Sequence, residues 1–126
     1  MTLPKDAQER KDTPIFSGVL KYFPDAVAAV ARVSQVGNEQ HNPGSELHWD
    51  RTKSKDEYDS CQRHLLDRAA GEEFDADGQR HMAKAAWRAL AALQKEIENS
   101  KSLKNGRIVL QHSEDEVRDY ITRLNT

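Results

Sequence analysis

The alanine-rich stretch HMAKAAWRALAALQKEIE limits the possible folds of this chain more than any other segment. Its apolar side chains recur at the spacing of one helical face, at Met82, Ala86, Ala89, Leu90, Leu93 and Ile97. That period predicts a long amphipathic helix, and a carboxylate suited to a first turn places its start near Asp77. A chain organised around such a helix is expected to be helical.

Two further helices are predicted on the N-terminal side of this segment. The first runs from Pro24, which suits a first turn, to a stop at Gly37. The second follows a capping-box pair, Ser54 and Glu57, and stops at Gly71. The polar stretch NEQHNPGSELHWDRTK between them predicts a long loop, and loops of this length often form the wall of a functional site.

The two ends of the chain differ from this helical part. The N-terminal residues are polar and have no periodicity, which indicates an arm. Near the C-terminus, Asn105-Gly106 predicts a small hairpin. The pair Ser113 and Glu116 then predicts a short last helix. The fold prediction is all-α, a small helical bundle with a short C-terminal hairpin. The predicted division has three parts: a flexible arm at 1–13, a helical domain at 14–99 and an extension at 100–126.

The composition predicts a thin core and a homo-oligomer. Charged residues make up 32% of the 126 residues and the mean hydropathy is −0.88, so the chain has one small core and a heavily solvated surface. The first and third predicted helices carry alanine and valine where large side chains would fill a lone core. We therefore expect a dimer or tetramer built on these two helices.

Charge and cysteine content disfavour several classes of function. The net charge of −2 leaves no excess positive charge to follow a phosphate backbone, so nucleic acid is not an expected partner. The chain has one cysteine, Cys61, and no N-terminal signal or long apolar span. We expect a cytoplasmic protein, in the host cytoplasm if a phage encodes it, that does not enter a membrane.

The stretch GEEFDADG crowds carboxylates into one short connection, at Glu72, Glu73, Asp75 and Asp77. Its oxygens are spaced as in a calcium loop, but Lys84 stands at the twelfth position, where such a loop needs a bidentate glutamate. Two interpretations remain open. The acids form a solvated connection between helices, or they bind a hard cation, Mg²⁺ or Mn²⁺, beside substrate phosphates.

Basic and aromatic side chains accompany these acids. His81, Lys84 and Arg88 share one helical face that could bind phosphate, or could form ordinary surface ion pairs. Arg63 and His64 on the second helix could likewise contact phosphate or have only a structural role. For His64 the structural role would be that of a buried, hydrogen-bonded side chain.

The long loop adds His48 and Trp49, where an aromatic face could stack on a base and an imidazole could hydrogen-bond one. The alternative is that Trp49 plugs the core. No P-loop, dinucleotide-binding, H-E-x-x-H or paired-cysteine motif is present, so phosphate chemistry here would be helical and metal-based.

The order VARVSQVGNEQHNPG, LHWDR and RHLLDRAAGEEFDADGQRHMAKAAWRAL resembles the phage dATP/dGTP diphosphohydrolase family. These are MazZ-like relatives of the MazG-type all-α nucleoside triphosphate pyrophosphohydrolases, and the likeness covers roughly residues 14–98. The positions that carry the resemblance are Gly37, Trp49, Arg51, Arg63, His64, Gly71, Glu72, Asp75, Gly78 and His81. The resemblance implies metal-assisted cleavage of a deoxynucleoside triphosphate between the α and β phosphates, which releases the monophosphate and pyrophosphate.

The resulting hypothesis is an oligomeric enzyme that hydrolyses a purine deoxynucleoside triphosphate with Mg²⁺ or Mn²⁺. The alternative is a non-catalytic phage or prophage helical protein with an interaction or structural role. The expected catalytic residues are Glu72, Asp75, His81 and Lys84. The expected substrate-binding residues are His48, Trp49, Arg51, Arg63, His64 and Arg88. The expected metal ligands are Glu39, Glu72, Asp75 and Asp77.

Overall fold

The computed structural model describes residues 3–100, 103–104, 107–108 and 114–125, and these are mostly helical. The elements are α1 (Ala7–Lys11), a π-helical turn (Phe16–Leu20), α2 (Pro24–His41), α3 (Glu57–Ala69), α4 (His81–Glu98), β1 (Leu103–Lys104), β2 (Arg107–Ile108) and α5 (Glu114–Leu124). The prediction of an all-α fold is confirmed.

The chain forms two compact units, Met1–Ala92 and Leu93–Thr126. In the second unit, β1 and β2 pair antiparallel, with Leu103 opposite Ile108. The Asn105-Gly106 turn predicted between them, and Ser113 of the predicted capping box, lie outside the described residues. The division at residues 13/14 and 99/100 stays a prediction.

The predicted N-terminal arm contains α1. Asp6 caps this helix, because its side chain accepts a hydrogen bond from the backbone N–H of Glu9 at 3.0 Å.

The first predicted helix is α2, which begins at Pro24 as expected but continues past Gly37 to His41. An isolated glycine inside a helix costs only about 1 kcal/mol relative to alanine. The following turn offsets that cost, because Asn38 is buried and its Nδ2 donates to the carbonyl of Ser45 at 3.0 Å. The predicted stop at Gly37 is therefore wrong.

The second predicted helix is α3, and its predicted capping box is wrong. Asp56 is the N-cap and makes no side-chain capping bond. The Ser54 hydroxyl instead donates to Asp56 Oδ1 at 2.8 Å and accepts from Arg88 Nη1 at 2.7 Å. At the other end, Gly71 adopts a φ of 108°, a left-handed conformation suited to glycine, and α3 stops there as predicted.

The long predicted helix is α4, which begins at His81 rather than near Asp77. The preceding residues instead form a tight turn, in which the backbone N–H of Asp75 donates to the carbonyl of Gln79 at 2.8 Å. Gly78 supplies the turn's positive φ, 81°. The acid-rich connection is thus a hydrogen-bonded turn that leads directly into α4.

The core of the first unit is small and unusually polar. Among the described residues, the buried apolar side chains are Ala83, Ala85 and Ala91, and the buried polar ones are Asn38, Glu57, Ser60, His64 and His81. The three buried alanines all lie on α4, and hydrogen bonds join this helix to its neighbours. One runs from Cys61 Sγ on α3 to the carbonyl of Ala85 at 3.4 Å.

In the part of the chain that the structure describes, no helix has both the length and the apolar character needed to cross a membrane.

Candidate active site

A cavity of about 570 Å³ lies in the first unit between α2, the loop at residues 42–56, α3, the acidic turn and α4. It gathers most of the predicted site residues, namely His48, Trp49, Arg63, His64, Asp75, Asp77, Lys84 and Arg88. The predicted residues that do not line it are Glu39, Arg51, Glu72 and His81. The cavity is large enough for a small ligand, and most of the side chains that line it are polar or charged.

The acidic side of the cavity is an ion triad formed by Asp75, Asp77 and Lys84. Lys84 Nζ lies 2.7 Å from Asp75 Oδ2 and 2.8 Å from Asp77 Oδ2. The turn that ends at Gly78 folds both carboxylates back over the first turn of α4, where Lys84 projects. One ammonium therefore bridges two carboxylates, and the triad has a net charge of −1.

All three groups of this triad are ionised at neutral pH. Hydrogen bonds from Lys84 Nζ and from the backbone N–H of Ala76 lower the pKa of Asp75 to about 2. Burial acts to raise the pKa of Asp77, but hydrogen bonds from Lys84 and from the N–H of Gln79 outweigh it, so the pKa is lowered. Burial acts to lower the pKa of Lys84, whereas the two carboxylates outweigh burial and raise it.

Two buried imidazoles stand next to the triad. His64 Nδ1 and His81 Nδ1 are 2.9 Å apart, so one ring donates a hydrogen bond to the other. His81 Nε2 is buried without a hydrogen-bond partner and lies 3.6 Å from Glu72 Oε2. Burial, followed by the positive charge of Arg63, lowers the pKa of His64, so this ring is neutral at pH 7.

The aromatic side of the cavity consists of Trp49 and Trp87. Their rings meet edge to face, with centroids 5.7 Å apart and an interplanar angle of 80°. Trp87 lies on α4, and its Nε1 donates a hydrogen bond to Ser34 Oγ on α2 at 2.6 Å. This bond fixes the orientation of the indole ring. Arg51 covers Trp49 at 4.3 Å from the ring centroid. Trp49 therefore packs against Trp87 of α4 and also lines the cavity.

Two arginines and a histidine also belong to the polar lining. Arg88 Nη1 lies 3.8 Å from Glu57 Oε1, a carboxylate that is only 6% exposed. Arg63 Nη2 makes a long contact of 3.5 Å with Ser60 Oγ. In the loop, His48 Nδ1 lies 2.9 Å from the carbonyl of Glu46.

A sequence model of the protein family described as dATP/dGTP diphosphohydrolase, N-terminal, matches residues 4–105. The chain belongs to this family. The match spans α1 to α4 and contains every described residue that lines the cavity, and it confirms the resemblance seen in the motifs. Comparisons with curated proteins and with solved structures found no match.

In this diphosphohydrolase family member, two groups of described residues bring potential metal-ligating atoms within 4.8 Å of one another: His64, Asp75 and His81, and Asp67, Glu72 and His81. Both include His81, and both contain a nitrogen donor, which suits Mn²⁺ or other transition metals better than Mg²⁺.

The residues present also fit the predicted Mg²⁺ or Mn²⁺. Mg²⁺ is usually bound by one or two carboxylates plus substrate phosphates, and Asp75 and Asp77 place two carboxylates in the cavity. The other two predicted ligands lie elsewhere. Glu39 accepts a hydrogen bond from Gln35 on the exposed side of α2, and Glu72 is 69% exposed beside His81.

Some residues of the cavity were missed by sequence reasoning. Asn38 lines it and has a buried Oδ1 without a hydrogen-bond partner. The predicted stop at Gly37 concealed it, because Asn38 lies one helical turn after Ser34 only when the helix continues past that glycine. Trp87 also lines the cavity, but the sequence indicated it only as part of the alanine-rich helical segment.

Proposed function

We propose that this chain hydrolyses dATP or dGTP to the monophosphate and pyrophosphate, with Mg²⁺ or Mn²⁺ as cofactor. The observation that supports this best is the cavity itself, which combines an indole surface with a cluster of ionised groups. A purine deoxynucleoside triphosphate has the same two parts, a flat aromatic base and a polyanionic tail. Family membership supports the same substrate class.

The base is assigned to the aromatic side. Trp49 and Trp87 offer apolar ring surface, and base–aromatic stacking contributes about 1–3 kcal/mol per base. His48 and Asn38 line the same cavity and offer polar groups to base edges.

The triphosphate is assigned to the charged side. Arg63, Lys84 and Arg88 bring positive charge to the cavity and complement the phosphates. Asp75 and Asp77 would hold the divalent cation, which when bound neutralises phosphate charge and lowers the pKa of a coordinated water. The neutral His64 offers an uncharged hydrogen-bonding group beside them.

The convergence of acids and bases on one concave surface favours an enzyme over a helical interaction protein. In an interaction protein we would expect these side chains to be dispersed over a solvated face. Homo-oligomerisation and a cytoplasmic location belong to the same proposal.

The decisive experiment incubates the purified protein with each deoxynucleoside triphosphate and Mg²⁺ or Mn²⁺ and separates the products. We expect the monophosphate and pyrophosphate from dATP or dGTP, with little product from dCTP or dTTP and none in EDTA. Asp75→Asn should reduce turnover by orders of magnitude, whereas Asp59→Asn, a change at an exposed carboxylate of α3, should not. Absence of pyrophosphate with every nucleotide would refute the proposal.

A further inference from the structure

We propose that Lys84 is a built-in counter-ion that must leave Asp75 and Asp77 before a divalent cation can bind there, and that the nucleotide's phosphates receive it. Metal and nucleotide would then bind together far better than either binds alone. This inference rests on the proposed function only for the identity of the two ligands.

The first step concerns space and charge at the carboxylates. Lys84 Nζ forms ion pairs with the carboxylate oxygens that would bind a cation, at 2.7 Å from Asp75 Oδ2 and 2.8 Å from Asp77 Oδ2. A Mg²⁺ ion bound about 2.1 Å from either oxygen would lie less than about 5 Å from an ammonium that stayed in place. Two positive ions at that distance in a partly buried site repel strongly, so the ammonium and the metal ion exclude each other.

The second step concerns where the ammonium goes. The Lys84 side chain is 19% exposed, so moving its charge away from both carboxylates without a new partner is unfavourable. Its flexible four-carbon stem allows the ammonium to swing, and it already lines the nucleotide cavity. The nearby buried carboxylate of Glu57 already faces Arg88. A triphosphate in the cavity would supply the missing anion.

Reciprocal coupling follows from these two steps. The metal ion alone must displace an ammonium that has no new partner, and the nucleotide alone approaches a triad with a net charge of −1. When both bind, the phosphates pair with the displaced ammonium and the metal ion neutralises the carboxylates. Thermodynamic linkage then requires that each ligand raises the affinity for the other by the same factor.

The test measures Mn²⁺ binding without nucleotide by isothermal titration calorimetry. Lys84→Met should bind Mn²⁺ about tenfold more tightly than the parent, because its carboxylates are free of the ammonium. Lys53→Met is the matched control, since Lys53 also lines the cavity but lies by Asp50 and Asn42. It changes the cavity charge equally and should alter Mn²⁺ affinity less than about twofold.

Nucleotide binding in the absence of metal provides a second measurement, which does not depend on the folding of Lys84→Met. Binding of the non-hydrolysable α,β-imido analogue of dATP is measured in EDTA. Asp77→Asn leaves Lys84 with one carboxylate partner and should bind the analogue about tenfold more tightly than the parent.

Equal Mn²⁺ affinity of Lys84→Met and Lys53→Met, or unchanged analogue binding by Asp77→Asn, would overturn the inference. These readouts do not use turnover. A protein that shows both effects but hydrolyses no nucleotide would refute the proposed function and leave the counter-ion role of Lys84 standing.

Discussion

At the scale of single residues, His64 makes the stability of the fold depend on pH. Its pKa in the folded chain is lowered from the usual 6.5, mainly by burial. Between the folded value and 6.5, the unfolded chain therefore binds more protons, so the free energy of unfolding must fall as the pH drops below about 6.5. We expect the melting temperature in EDTA to decrease from pH 7.5 to pH 5.

A histidine variant separates this effect from general acid sensitivity. His64→Gln should flatten the decrease in melting temperature over this range, whereas His41→Gln, a change at an exposed histidine, should leave it as steep as in the parent. An equally steep decrease in His64→Gln would show that another group is responsible.

The hydrogen bond between Trp87 and Ser34 allows a second residue-scale prediction. Because it is short, 2.6 Å, and partly buried, Ser34→Ala should lower the free energy of unfolding by about 1 kcal/mol. Urea denaturation of Ser34→Ala, Trp87→Phe and the double variant measures the coupling directly. Strictly additive effects of the two changes would mean that the bond contributes nothing.

Sequence reasoning selected most of the residues of the cavity but not their pairings. The motifs placed Asp75 and Asp77 in an acid-rich connection and Lys84 on a basic helical face beside it. They could not show that one ammonium bridges both carboxylates, because that contact depends on the turn that folds residue 75 back over residue 84. The His64–His81 pair likewise requires α3 and α4 to be adjacent.

At the scale of elements, the buried apolar residues of α4 are alanines, so a larger side chain at one of them should destabilise the fold. Ala85 is 3% exposed and its carbonyl accepts a hydrogen bond from Cys61 on α3, so little space remains for a larger side chain. Ala85→Leu should lower the free energy of unfolding by about 1–3 kcal/mol through overpacking. Glu96→Leu, at an exposed position of the same helix outside the apolar stripe, should change it by less than about 0.5 kcal/mol. Chemical denaturation of both variants gives the comparison.

Periodicity predicted the three long helices well, whereas single-residue signals at their ends were less informative. A glycine such as Gly37 ends a helix when no tertiary contact stabilises the next turn. Here the side chain of Asn38 stabilises that turn through its hydrogen bond to the carbonyl of Ser45. Ser54 matched a capping box, but its hydroxyl is bonded to Asp56 and to Arg88, which is distant in sequence. End signals of this kind compete with tertiary contacts that a local pattern does not contain.

At the scale of the whole molecule, exposed apolar side chains support the predicted homo-oligomer. Met82 and Leu90 on α4 are 50% and 57% exposed, although both belong to the apolar stripe of the helix. We expect a dimer or tetramer by light scattering at micromolar concentration. Leu90→Glu should shift the protein towards the monomer, whereas Leu66→Glu, at an exposed leucine of α3, should not. A monomeric parent would contradict the prediction.

The edge-to-face pair of Trp49 and Trp87 has a spectroscopic consequence. These are the two tryptophans of the chain, and both line the cavity. Selectively excited indole emission would therefore originate at the cavity wall, and at a centroid separation of 5.7 Å the two rings can exchange excitation energy. A purine that stacks against either ring would quench this emission. The native protein thus carries its own fluorescent reporter of cavity occupancy, with no label and no substitution.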